Sequence, residues 1–226
     1  MTRVKICGIT NISDARATCD AGADAIGLNF YPKSPRFLSN TEAIEIRSQI
    51  PYGIQVVGVF VNADPAEILD LCRTFRLDAV QLHGNETAAT VEQLSRTVPV
   101  FKAFRVGSDF RVTVLQEFSA ATAFLFDAAD PAPGEGALQY GGTGHRSNWK
   151  VAQEAARRHH IILAGGLNPQ NVADAILHVR PYAVDVASGV ESSSGAKNHD
   201  RVREFIHEVR RADQQLAASR EEVRMT

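Results

Sequence analysis

Residues 160–189 read HIILAGGLNPQNVADAILHVRPYAVDVASG. An apolar run ends in a glycine pair, a helix-period stretch opens at Asn168-Pro169, and a second apolar run ends in Ser-Gly. Asn followed by Pro is a helix-start signal, because proline at the first helical position lacks an N–H that would have no partner there anyway. The spacing therefore predicts a helix over 168–178 between two strands. A helix-length crossover returns the chain to the same end of a sheet, so the two strands should be parallel.

The same unit recurs along the chain. Apolar runs rich in β-branched residues begin near Arg3 (RVKICG), Asp24 (DAIGLNF), Ile54 (IQVVGVFV), Asp78 (DAVQLHG), Val98 (VPVFKAF), Thr122 (TAFLFD), His160 (HIILAGG) and Tyr182 (YAVDVASG). Helical patterns with cap candidates follow most of them, at 11–21, 64–74, 85–96, 147–159, 168–178 and 198–211, and Asp64-Pro65 repeats the cap-and-proline signal. Eight βα units predict an α/β fold of one domain, a (β/α)8 TIM barrel. An open doubly wound sheet normally carries GxGxxG or GxxxxGK[ST] after its first strand, and CGITN here has neither. With no Pro/Gly/Ser-rich linker, residues 1–211 are expected to form the catalytic barrel. Residues 212–226 are expected to be a polar C-terminal tail, a frayed helix or disordered.

Composition narrows the partners. In 226 residues, 24 basic and 26 acidic side chains leave a net charge of −2, which argues against nucleic acid or anionic membrane, since both demand a basic surface. No apolar stretch approaches the roughly 18 residues of a membrane span, and MTRVKICGIT is not a signal peptide. Cys7, Cys19 and Cys72 form no CxxC pair and leave an odd count, which suits a reducing cytoplasm. No histidine sits in HExxH or beside a cysteine pair, so no metal is expected.

In such a barrel the chemistry sits where strands run into βα loops. Those exits are Cys7, Asn29, His83, Asp127, Gly165-Gly166 and the stretch from Asp185 to Gly189. Cys7 there reads as a thiolate base or nucleophile, with a buried structural thiol as the plain alternative. Cys19 and Cys72 lie in helices and read as packing. Asp127 follows Phe124-Leu125-Phe126, which predicts a part-buried carboxyl suited to donating a proton. His83 in QLHG can bind substrate or orient a neighbour, while Asn29 reads as a loop cap. Gly142 and Gly144 of GGTG, Gly165-Gly166, and Ser188-Gly189 predict a backbone grip on phosphate. Replacing Gly166 or Gly189 should then raise KM far more than it destabilises the fold. Arg36, between prolines in FYPKSPRFL, offers a planar fork to a substrate carboxylate or phosphate. As a loop side chain, it should be replaceable by Met with little change in Tm.

These residues resemble the phosphoribosylanthranilate isomerase family of tryptophan biosynthesis. The resemblance rests on KICGIT (5–10), GLNFYPKSPR (27–36), GVFVN (58–62), QLHG (81–84), LFDA (125–128), GGTG (141–144), LAGGL (163–167) and DVASGVE (185–191), in the family's order. It implies an Amadori rearrangement of N-(5-phosphoribosyl)anthranilate without cofactor, Cys7 as general base, Asp127 as general acid and Arg36 on the anthranilate moiety. It also implies phosphate at the glycines. One departure is Ser147-Asn148-Trp149, where the family usually has aromatic-Asp-Trp; Asn caps a helix about as well as Asp. The implied partner is one small phosphorylated sugar–anthranilate substrate, and the chain is expected to be a monomer, since a barrel closes its own sheet. Two other readings stay open. A lyase could form a Schiff base on Lys5 or Lys102, and a non-catalytic barrel could sense a phosphorylated metabolite.

Overall fold

A computed structural model describes residues 1–107, 109–128 and 148–225. Strands β1 (Arg3–Cys7), β2 (Ala25–Asn29), β3 (Gln55–Phe60), β4 (Ala79–Leu82), β5 (Val100–Val106), β6 (Ala123–Ala128), β7 (Ile161–Leu163) and β8 (Ala183–Val186) pair in parallel in chain order. β8 then pairs with β1 and closes the barrel. Around it stand α1 (Ile12–Asp20), α2 (Asn40–Arg47), α3 (Pro65–Phe75), α4 (Ala88–Ser95), α5 (Trp149–Ala156), α6 (Val172–Val179) and α7 (His199–Met225). After β5 the described residues make a 3-10 turn, Val112–Phe118. After β8 come a short 3-10 turn, Ser188–Val190, and a hairpin of β9 (Glu191–Ser193) and β10 (Ala196–Lys197).

Strand side chains alternate between two cores, as a period of two requires. Val4, Ile6, Ile26, Leu28, Val80, Phe126 and Val184 face the helices in the large outer core. Ala25, Val57, Ala79, Phe101, Ala103, Leu125, Ile162 and Ala183 form two small clusters on the other face, inside the barrel. By the same alternation Lys5, Cys7, Gln81, Asp127 and Asp185 belong inside. Half of these eight are alanines, so the barrel has room for long polar side chains that a leucine-filled lumen would exclude. At the opposite end, Asp24 accepts from the Val4 amide and Asp78 from the Val56 amide, each at 2.8 Å. An acid at the start of each of these strands thus caps the strand before it, and backbone groups at the barrel floor stay paired.

The caps hold in most places and move in some. Asp64 accepts from Ala66 N with Pro65 behind it, and Asn148 accepts from Val151 N, so Asn does the work of the family's Asp. α6 starts at Val172, later than the sequence suggests. The Asn168 side chain accepts from Gln170 N, while Asn171 Oδ1 accepts from Asn168 N, and this pair closes a turn before the helix begins. α2 comes from a segment without a strong apolar stripe. Its signal is the capping box of Ser39 and Glu42. α7 continues through Arg211, where Ala212 is buried and Asp213 accepts from both the amide and the hydroxyl of Thr2. Among the described residues, no helix is long and apolar enough to cross a membrane.

Candidate active site

The loops at the C-terminal ends of the strands surround a cavity of about 350 Å³. Cys7, Arg36, His83, Asp127, Gly165, Gly166, Ser188 and Gly189 all line it, though they come from six different βα junctions. Gly142 and Gly144 lie outside the described residues. Sequence separation is irrelevant to this convergence, because closing the barrel brings all eight strand exits to one rim.

Cys7 ends β1 on the inner face and is buried. Burial pushes its thiol above the ordinary range, and the Lys5 ammonium pulls it back. Asp127, next to the last residue of β6, is buried as its apolar neighbours suggest and meets His83 Nε2 at 3.3 Å through Oδ2. The Gln81 amide nitrogen stands 2.7 Å from His83 Nδ1. With that nitrogen as donor, Nδ1 accepts, and Nε2 carries the ring proton toward Asp127. His83 is therefore tied to Asp127, and it also lines the cavity. Gln81 escaped the sequence reading because an amide inside an apolar strand carries no motif.

The loop after β2 is built by its own polar residues. Asn29 Oδ1 accepts from Tyr31 N and Ser34 Oγ from Arg36 N, so Asn29 is the loop cap it was read to be. Arg36 then crosses over Gly8, where any Cβ would collide with its Cδ. Its Nε and Nη2 donate to the two carboxylate oxygens of Glu191, both at 2.7 Å, and Lys197 Nζ donates to the same carboxylate at 2.7 Å. Burial works to raise the Glu191 pKa, but Arg36 and Lys197 together hold it below the usual carboxylate range. The fork is thus fixed by a buried carboxylate as well as by flanking prolines. One bidentate edge is occupied by Glu191, and no described residue takes the Nη1/Nη2 edge. Glu191 was visible only as the last letter of DVASGVE.

Gly165 and Gly166 have φ of +79° and +65°, a left-handed backbone that favours glycine. No described residue accepts a hydrogen bond from either amide. At Gly189, a Cβ would run into the carbonyl oxygen of Leu167. This corrects the expectation that substitution there spares the fold: the glycine lets the loops after β7 and β8 touch backbone to backbone. The lysines of the lyase reading are both ion-paired, Lys5 with Asp185 at 2.8 Å and Lys102 with Glu86 at 2.9 Å. Lys102 also donates to the carbonyls of Leu82, Gly84 and Ala103, which makes it a pin for the loop after β4.

Residues 4–208 match the model of a family described as N-(5'phosphoribosyl)anthranilate (PRA) isomerase. A protein of Chlorobium phaeobacteroides named N-(5'-phosphoribosyl)anthranilate isomerase is 46% identical over 223 residues, covering 96% of this chain and 100% of that protein. A crystal structure of phosphoribosyl anthranilate isomerase in complex with reduced 1-(o-carboxyphenylamino)-1-deoxyribulose 5-phosphate is similar with a TM-score of 0.81 at 38% identity, covering 93% of this chain and 99% of that one. A structure of monomers generated from the dimeric isomerase of Thermotoga maritima has the same TM-score at 37% identity, with 93% and 99% covered.

Proposed function

Since the chain belongs to the N-(5'-phosphoribosyl)anthranilate isomerase family and isomerises N-(5-phosphoribosyl)anthranilate to 1-(2-carboxyphenylamino)-1-deoxyribulose 5-phosphate in tryptophan biosynthesis, we propose that Cys7 and Asp127 carry its two proton transfers. The observation behind this is that the thiol and the carboxyl, from β1 and β6, line the same cavity as Arg36 and the paired glycines.

In this reading Asp127 protonates the furanose ring oxygen as the C1–O bond breaks and the amine lone pair forms the Schiff base. Cys7, as thiolate, then takes the C2 proton. The C–H electron pair enters the C1–C2 bond and the nitrogen becomes neutral. The enol passes to the ketone as its C2 hydroxyl gives up a proton and C1 takes one; the thiol releases its proton to solvent, and Asp127 takes one back. His83, held by Gln81, positions Asp127. The open edge of Arg36 takes the anthranilate carboxylate, and the amides of Gly165, Gly166 and the Ser188-Gly189 turn take the phosphate, joined by Gly142 and Gly144.

Residues 1–211 are taken as one catalytic domain, with the remainder of α7 as an appendage. The reaction needs only one barrel, which supports a monomer, although the Thermotoga maritima relative is described as dimeric; sedimentation equilibrium separates the two. Free cysteines and a biosynthetic role support the cytoplasm. The test of function follows the loss of phosphoribosylanthranilate fluorescence, with substrate generated in situ. A folded Cys7→Ala, Asp127→Ala double variant turning over near the parental rate would end the proposed mechanism.

A further inference from the structure

Lys5 and Lys102 are both buried lysines on barrel strands, and both have a carboxylate partner. Their remaining donors differ. Lys102 faces outward and has Glu86 and three carbonyls as acceptors. Lys5 faces inward, and among the described residues Asp185 Oδ1 is its one oxygen acceptor. An ammonium has three donors, and in a dry lumen the others need a partner. The thiol of Cys7 lies close by on the same face of the strand. Lys5 and Cys7 are two residues apart on β1 and point the same way, while Gly27 stands opposite Cys7 in register. A methyl group on Gly27 would lie 2.8 Å from Cys7 Sγ and 3.0 Å from Lys5 Nζ. The missing side chain leaves thiol and ammonium facing one another across the same small space.

We propose that Lys5 is a positioning residue for the isomerisation: its ammonium, anchored by Asp185, stabilises the thiolate of Cys7 that takes the C2 proton. Asp185 is the register partner of Lys5 on β8, so barrel closure itself sets this anchor. The other charged groups around Cys7 are Asp185 on β8, Lys197 on β10 and Arg36 in the loop after β2. Lys197 and Arg36 share one carboxylate, Glu191, which offsets part of their field at the sulfur. Lys5 has its own counter-ion, yet its ammonium shares with the thiol the small space that a Gly27 methyl would fill. Burial raises the thiol, Lys5 lowers it more than any other group, and Asp185 opposes Lys5 more weakly.

The inference rests on Cys7 as the base, so its test is run without turnover. Carboxamidomethylation by iodoacetamide requires thiolate, and its rate at Cys7 is followed against pH by peptide mass spectrometry in substrate-free enzyme. Cys19 in the same samples is the internal reference. In Lys5→Gln, Asp185→Asn the pair is neutral, and the Cys7 midpoint should rise, by less than the roughly one unit or more of losing an unopposed nearby charge. In Asp185→Asn alone the ammonium remains without its counter-ion, and the midpoint should fall. The Cys19 midpoint should stay put in both, and the kcat–pH profile of Asp185→Asn should shift with its thiol. If the double variant fails to fold, the direction of the Asp185→Asn shift decides. A Cys7 midpoint unmoved in either folded variant would make Lys5 a structural pin and overturn the proposal. Loss of base function itself is read separately, from turnover by Cys7→Ser.

Discussion

Arg36→Lys separates what the guanidinium does for the fold from what it does for substrate. Arg36 gives Glu191 two parallel charge-assisted bonds of 2.7 Å, and with side-chain exposures of 12% and 5% neither partner is well screened by water. Lysine keeps the charge but cannot make both bonds, and it has no second edge for a carboxylate. Losing one such bond costs about 1.5–3 kcal/mol. Lys197 stays on Glu191, so the carboxylate is not stranded, and the cost remains near the single-bond figure. At about 2–4 °C per kcal/mol for a chain of this size, Tm of the free enzyme should fall by roughly 3–12 °C. The lost substrate edge, on the same energy scale, should raise KM by about 10- to 100-fold. Differential scanning calorimetry and fluorescence progress curves measure the two effects. An unchanged Tm with a raised KM would show that Glu191 does not hold Arg36 in the free enzyme. Parental values of both would refute the whole argument.

Cys7→Ser and Asp127→Asn should each lower kcat by about 10²–10⁴-fold with KM little changed, since each removes a proton transfer and no binding contact; equal rises in KM would point to a binding role instead. Gly189→Ala should lower Tm as well as raise KM, because its Cβ meets Leu167 backbone. Gly53→Ala, at φ +100° in open space, should lose only the strain of a left-handed residue, about 1–2 kcal/mol; equal losses in stability for the two variants would contradict this. Burial pushes the Cys72 thiol up to about 11, so the folded chain keeps a proton that the unfolded chain releases near pH 8.5. Its contribution is fully present below that pH and is lost as pH rises toward 11. Urea titrations of Cys72→Ala should therefore lose less stability across that window than the parent, and parallel curves would contradict it.

Much of the barrel was legible because its signals are local. Eight apolar runs, the Asp64-Pro65 start and the glycines at strand exits each depend on a few adjacent residues, and period-two alternation puts Cys7 and Lys5 on one face without any structure. Misplacements arose where local signals competed. Asn168-Pro169 looks like a helix cap, but Asn171 two residues later recruits it into a turn. α2 lacks a clear apolar stripe, and its capping box is weak evidence without the helix behind it.

Partnerships lay beyond any local reading. Arg36 meets Glu191 155 positions away, and Lys5 meets Asp185 180 positions away. Each pairing follows from closure of β8 onto β1, which no window of sequence contains. The stability expected of an Arg36 variant changed for that reason: a loop arginine became half of a buried ion pair. Gly189 changed in the same way, from a phosphate-binding turn to a backbone contact between two loops. The chain by itself determined which groups reach the barrel mouth, because strand periodicity and turn chemistry are written in neighbouring residues. Only the closed barrel decided which of those groups touch, because contact between distant strands is set by register and packing.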